Sequence, residues 1–360
     1  MSIMVAKLGS STLVGEGGAL RDDVLEARTA DLVAVLRRGH RPVLVSSGAI
    51  ACGYGRLGFR ERPTAVPDLQ AASAVGQGIL FHRYLELFAA HGVTAAQVLL
   101  TSADLARRAG YVNARNTLQR LLDLGVVPVI NENDTTATDE LTFGDNDVLA
   151  SQVAILLDAR WLVLLTDRDG LYGVGADGEP ELIGTVPAGI GPDGVRLADM
   201  RGSGIGRGGI RSKVVAGTMA TAAGVTCVIA SGTRAEVLPS IADGEALGTT
   251  FRPSDRRESA FKLWLRHAKP VQGRVVVDAG AAVALRERGR SLLSVGVAAV
   301  DGTFVAGDAV TVLDEAGVAV GKGIVGTSAD ELRRSIGADG NGPSFEVIHR
   351  DQFVLEDGRR

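Results

Sequence analysis

The residues best suited to chemistry in this chain sit in Gly202-Ser-Gly-Ile-Gly-Arg-Gly-Gly-Ile-Arg-Ser-Lys213, which runs into the apolar stretch Val214–Ala220. Five glycines within residues 202–209 let the backbone approach an anion closely, and a following helix would aim its N-terminal N–H groups at that anion. Arg207, Arg211 and Lys213 add fixed positive charge, so the stretch suits a polyphosphate. Gly/Ser runs also serve as plain surface loops, and other positions must decide. A second lysine, Lys7, stands inside the apolar run Ile3–Leu8, where it costs desolvation unless it snorkels or meets an anion. Ser47, Asp134 and Asn146 supply donors and acceptors for a zwitterionic small molecule. Asp134 suits a substrate ammonium, and the Ser47 hydroxyl with the Asn146 amide suits a carboxylate. Each motif taken singly also reads as a turn or a helix cap. No Ser-His-Asp arrangement is evident, and no side chain stands out as an activated nucleophile. Two lysines without a nucleophile point to direct phosphoryl transfer, in which the protein positions two reactants and neutralises charge.

These residues need a framework, and the hydrophobic pattern supplies one. Apolar runs at Ile3–Leu8, 42–45, 94–100, 126–131, Trp161–Thr166 and 225–229 read as buried strands. Between them lie helical patterns at 24–36, 70–90, 113–124, 146–157 and 213–223. Apolar strands separated by helices belong in a parallel sheet covered on both faces, an α/β three-layer sandwich. Ligands of such sheets bind at the carboxyl ends of the strands. Lys7 lies near the first exit, followed by Gly9-Ser-Ser-Thr12, and Ser46-Ser-Gly48 forms the second. Asn131-Glu-Asn-Asp134 and Thr166-Asp167 follow later strands, while Gly144-Asp-Asn-Asp147 opens a helix. The glycine-rich 170–183 segment fits a hairpin. Beyond about residue 250 the style changes to short β-type runs at 274–277, 295–300, 309–312, 318–324 and 346–348, with one helix at 281–287. That is a second, mostly-β domain.

Composition closes off other classes. Hydrophobic residues make up 46% and charged residues 22% of the 360 residues, which fits packed globular structure. A net charge of −4 gives no polybasic nucleic-acid surface. No secretory signal or membrane span is read, Cys52 and Cys227 read as buried thiols of a reducing compartment, and the five histidines lack ligand spacing. The expectation is a cytoplasmic protein without a protein-held transition metal. There is no G-x-x-x-x-G-K-[ST] loop and no protein-kinase signature set.

Read in order, Val5-Ala-Lys-Leu-Gly-Ser-Ser11, Val45-Ser-Ser-Gly-Ala-Ile50, Val98-Leu-Leu-Thr101, Val129-Ile-Asn-Glu-Asn-Asp134, Phe143-Gly-Asp-Asn-Asp147, Leu164-Leu-Thr-Asp167 and the loop ending in Lys213 resemble the glutamate 5-kinase family of the amino-acid kinase superfamily. Asp278-Ala-Gly280 and Gly289-Arg-Ser-Leu-Leu293 resemble its appended PUA domain. The resemblance implies an amino-acid kinase-like αβα domain over 1–257 and a PUA-like β domain over 273–354. It implies ATP- and Mg²⁺-dependent phosphorylation of the L-glutamate side-chain carboxylate to L-glutamyl 5-phosphate, the first step of proline biosynthesis. Lys7, Lys213 and Asp147 would be catalytic. Thr166, Asp167, Arg207, Gly208, Gly209, Ile210, Arg211, Ser212 and Lys213, with Lys7, would bind nucleotide. Ser47, Asp134 and Asn146 would bind glutamate. Feedback inhibition by proline and a homo-oligomer, dimer or tetramer, are also implied. Two segments depart from the family: Gly206-Arg-Gly-Gly-Ile210 stands where Gly-Thr-Gly-Gly-Met is usual, and the hairpin near 173–179 lacks Asp-Pro-Arg. RNA binding by the second domain is the competing expectation. Basic residues cluster only at 286–290, and Phe304 and Phe345 are too few for a stacking surface.

Overall fold

The computed structural model describes residues 1–15, 19–136, 146–198, 207–255, 258–267, 269–336 and 344–356. The glycine positions 202–206 and residues 143–145 of the expected motifs lie outside these. The chain divides into two compact units, Met1–Ala260 and Phe261–Arg360.

The first unit runs β1 (Ile3–Leu8), α1 (Ser10–Leu13), α2 (Asp22–Arg37), β2 (Arg41–Ser46), α3 (Ala49–Tyr54), α4 (Val66–Ala90), β3 (Ala95–Leu100), α5 (Ser102–Ala106), α6 (Arg108–Asp123) and β4 (Val127–Glu132). It continues with α7 (Asn146–Leu156), β5 (Trp161–Thr166), the hairpin β6 (Tyr172–Val174) and β7 (Pro180–Leu182), β8 (Thr185–Val186), α8 (Arg207–Ala222), β9 (Thr226–Ser231), α9 (Val237–Ala242) and β10 (Thr249–Phe251). Eight strands form one sheet in the order β3-β4-β2-β1-β5-β9-β10-β8. All pairs are parallel except β9 with β10. From β1 the chain first builds outward through β2, then returns to β1's other side with β5. This reversal makes the carboxyl ends of β1, β2 and β5 the crevice where such sheets bind ligands.

Alternation along each strand divides the core between two faces. Val5, Val43, Val45, Ile130, Leu162, Leu164 and Ile229 pack with α6, α7 and α8 residues such as Leu118, Val153 and Val214. Met4, Ala6, Leu8, Leu44, Val163 and Val228 pack on the other face with α2, α4 and α9 residues such as Leu32, Tyr84 and Leu238. On that face α3 and α4 cross at backbone contact: a Cβ at Gly76 would lie 1.8 Å from the Ala49 carbonyl oxygen, and one at Gly53 1.8 Å from that of Ala72. Only glycine permits this approach.

The second unit follows α10 (Ala260–His267) with β11 (Val271–Val277), α11 (Ala279–Arg288), β12 (Leu292–Leu293), β13 (Val297–Gly302), β14 (Ala309–Asp314), β15 (Ala319–Ile324), α12 (Ala329–Ile336), β16 (Glu346–Ile348) and β17 (Phe353–Leu355). Its five-stranded sheet is ordered β13-β11-β14-β15-β17 around Val275, Val310, Val312 and Leu332.

Two expectations are corrected. Beyond α10, a further helix, α12, joins the one read at 281–287. Its eight residues carry four charges and bury only Ala329 and Leu332, too short an apolar stripe for a period to emerge. Helix α8 begins at Arg207 and not at Lys213. Gly208 and Gly209 occupy its first turn, where the N–H groups have no intrahelical partner and glycine costs least, and Ile210 packs on the core. Among the described residues no helix is long and apolar enough to cross a membrane, and Cys52 and Cys227 are free and buried.

Candidate active site

Lys7 is placed by simple alternation. Two residues beyond Val5 on β1, it shares Val5's face and meets α7 and α8, between Val45 and Leu164 of the neighbouring strands. It is 3% exposed. Its Nζ lies 2.7 Å from Asp147 Oδ1, in the first turn of α7, and Lys213 Nζ lies 3.1 Å from Asp147 Oδ2. Lys213, in the second turn of α8, also donates to the Gly209 carbonyl at 3.3 Å, and the Ser212 hydroxyl donates to Asp147 Oδ2 at 3.2 Å. One buried carboxylate thus bridges two ammonium groups from opposite ends of the unit. Burial by itself pushes the Asp147 carboxyl up, but Lys7 and Lys213 outweigh it and hold the group below the usual aspartate range. Two ammonium groups thus converge on one buried carboxylate, and converging cationic groups attract anions.

Next to this bridge, Asn146 Nδ2 reaches the Ser46 carbonyl at 3.2 Å, Ser47 Oγ at 2.9 Å and Asn131 Oδ1 at 2.9 Å. The amide orientation is fixed by its partners: a carbonyl oxygen cannot donate, and Asn131 Oδ1 is already defined by accepting from the Glu132 N–H at 2.9 Å. Asn146 therefore spends its donors on the protein. Its Oδ1, buried with the residue 4% exposed, has no hydrogen-bond partner among the described residues. Where the expectation pairs the Asn146 amide with a substrate carboxylate, its Nδ2 here donates to protein acceptors. The group it offers is an acceptor, suited to an ammonium, while Ser47 keeps its own hydroxyl proton to donate.

Helix α4 supports this side. Ser73 Oγ donates to Asp134 Oδ2 at 2.5 Å, and one turn later Gln77 Oε1 accepts from Asn131 Nδ2 at 2.6 Å. Tyr84 OH shares a hydrogen bond of 3.0 Å with Ser46 Oγ. Burial raises the Asp134 carboxyl, against the Ser73 hydrogen bond and the charge of Arg62.

Thr166, Asp167, Gly209, Ile210 and Lys213 line one cleft together with Ser11, Arg168, Gly170, Leu171, Tyr172, Leu197, Ala198 and Ile229. Thr166 Oγ1 donates to Asp167 Oδ1 at 3.0 Å. The cleft is apolar on one flank and cationic at Lys213. Ser212 faces Asp147, and Arg211 is exposed on α8. Arg207 and Gly208 begin α8, their side-chain surroundings lying outside the described residues.

Sequence reasoning passed over Ser73, Gln77, Tyr84 and Tyr172, and it gave Ser11 and Asn131 no role although both stand in strand-exit motifs. For Ser73 and Gln77 a signal existed: two polar residues four apart, beside the buried stripe Leu69, Ala72, Gly76, Leu80 and Tyr84 of one helix. The cleft wall from the hairpin and Leu197 carries no such signal, because it is assembled from segments distant in sequence.

Residues 2–231 match the amino acid kinase family and residues 273–340 the PUA domain family. A glutamate 5-kinase of Chromobacterium violaceum is 47% identical, over 98% of this chain and 97% of its own. One from Methylobacillus flagellatus is 44% identical over 98% and 97%. Among solved structures, carbamate kinase from Giardia lamblia bound to AMP-PNP superposes with a TM-score of 0.50 at 17% identity, covering 70% of this chain and 99% of that one. At that identity the likeness speaks to the fold alone.

Proposed function

The chain belongs to the glutamate 5-kinase family of amino acid kinases, and from that premise we infer how its residues divide the work of ATP-dependent phosphorylation of the L-glutamate side-chain carboxylate. The nucleophile is itself a carboxylate, ionised at neutral pH, so no general base is required. The difficulty is electrostatic: an anion must approach the γ-phosphate of a polyanion. The Lys7–Asp147–Lys213 bridge is the observation that carries this reading. Its two ammonium groups meet one buried carboxylate; Asn146, the residue before Asp147, bonds Ser47, and Lys213 also lines the cleft with Thr166. Lys7 and Lys213 would hold the γ-phosphoryl oxygens and stabilise the charge that spreads over them in the transition state. Asp147 would keep both ammonium groups charged and aimed at one point.

Asp134 and the Asn146 oxygen would take the glutamate ammonium, and the Ser47 hydroxyl its α-carboxylate. Thr166, Asp167 and the start of α8 would hold the nucleotide. Mg²⁺ would arrive on the ATP phosphates. Both Asp147 oxygens are engaged with lysines, and among the described residues no group of three or more His, Cys, Asp or Glu is arranged to hold a metal. Phosphate and water supply most Mg²⁺ ligands in such sites. Proline has the same carboxylate and an ammonium but no side-chain carboxylate, so it would occupy the same anchors and block them, the basis for feedback inhibition at this site. The buried free thiols favour a reducing, cytoplasmic setting.

The test is to incubate the protein with Mg-ATP, glutamate and hydroxylamine and measure the hydroxamate. Glutamate-dependent hydroxamate is expected, with aspartate and N-acetylglutamate poor substitutes. Preference for N-acetylglutamate would overturn the assignment of Asp134 and Asn146 to a free ammonium.

A further inference from the structure

Helix α4 lies outside the expected set of site residues, yet it reaches the amino-acid side of the crevice twice within one turn, through Ser73 and Gln77. We propose that Ser73 is a positioning residue for the kinase reaction: its hydroxyl holds the Asp134 carboxylate ionised and in one orientation before the amino-acid substrate arrives. The proposal rests on the reading that Asp134 receives the substrate ammonium.

Three observations carry it. Ser73 is 4% exposed and Asp134 9% exposed, so neither group can replace the other with bulk water. The Ser73 hydroxyl donates to Asp134 Oδ2, and a hydrogen bond to an ionised carboxylate is stronger than one to a neutral acceptor. And Ser73 stands one turn from the Gly53–Gly76 contact, where the backbones of α4 and α3 pack directly on each other. A carboxylate that must bind an ammonium has to be charged. Burial opposes that charge, while the Ser73 hydrogen bond and the Arg62 guanidinium favour it. Arg62 is the charged side chain that Asp134 senses among the described residues. Gln77 does the equivalent task for Asn131, whose oxygen in turn receives Asn146.

The experiment uses the full chain with Ser73→Ala, Asp134→Asn and the double variant, measuring KM for glutamate, KM for ATP and kcat against pH. Removing a hydrogen bond to a charged group should raise the glutamate KM of Ser73→Ala about tenfold at neutral pH. The acid limb of its kcat/KM profile should move to higher pH. The ATP KM and kcat should change by far less. Asp134→Asn should raise the glutamate KM further, and Ser73→Ala should add nothing in that background, because its partner's charge is already gone. A Ser73→Ala enzyme with the wild-type acid limb, or one whose effect adds in full to that of Asp134→Asn, would overturn the proposal. An Asp134→Asn enzyme with wild-type glutamate KM would instead overturn the reading beneath it.

Discussion

At the scale of single residues, the site is an arrangement of charges that compensate one another. Replacing Asp147 by Asn removes the counter-charge of two buried ammonium groups, a change that costs about 3–5 kcal/mol when a buried pair is broken on one side. Chemical denaturation at neutral pH should register that loss. The carboxyl of Asp147 is held below its ordinary range in the folded state. Its stabilisation is therefore full above the ordinary aspartate range and is lost as pH falls through the lower folded value. The stability difference between wild type and Asp147→Asn should shrink in acid accordingly. A difference that stays constant down to the acid limb would refute the bridge as a stabilising element. Lys7→Ala and Lys213→Ala should each lower kcat on the scale of a lost arginine finger, about 10³–10⁵-fold. Hydroxamate formation measures this directly. Near-normal turnover in either variant would remove that lysine from the chemistry.

At the scale of elements, the crossing of α3 with α4 would set the proposed amino-acid pocket. Helix α3 begins two residues after Ser47, and α4 carries Ser73, Gln77 and Tyr84. Gly76→Ala would drive a methyl group against the Ala49 carbonyl, and backbone on both sides leaves no flexible atom to yield. Overpacking of this kind costs about 1–3 kcal/mol. The helices must part, so glutamate KM should rise together with the fall in stability while ATP KM holds. A variant destabilised without any change in glutamate KM would uncouple the crossing from the site. Tyr84 is the mild counterpart. Its hydroxyl is wholly buried against Ser46, and Tyr84→Phe should cost about 1 kcal/mol of stability.

At the scale of the whole molecule, the two units have separate cores. Every residue assigned to catalysis or binding lies in Met1–Ala260, as do both cores flanking the large sheet. A chain ending at residue 260 should therefore still form hydroxamate. The second unit contains Lys322 on β15, whose Nζ donates to the Lys269 carbonyl. Burial pushes its pKa from 10.5 down to about 8, reinforced by Lys269 and opposed by Glu356. Between those values the unfolded chain binds more protons than the folded one, so this residue makes stability rise with pH. The stability of wild type relative to Lys322→Met should climb across that window. A flat difference would show that the ammonium is solvated.

Much of this was legible in the amino-acid sequence, for reasons that are local. Period-two alternation set Lys7 on one face of an apolar strand, and turn-forming residues after apolar runs marked the exits at Ser47, Asp134 and Thr166. The glycine run and its lysine suggested a phosphate site, although glycine chemistry alone could not reveal that the helix already begins at Arg207. What the tertiary structure decided were the partnerships. That Asp147 bridges Lys7 and Lys213, that Asn146 turns its donors inward, and that Ser73 meets Asp134 all depend on contacts between elements far apart along the chain. A hydrogen bond is defined by angstroms and by which atom donates. Sequence spacing fixes neither across a sheet, whereas packing two helical layers on a parallel sheet fixes both.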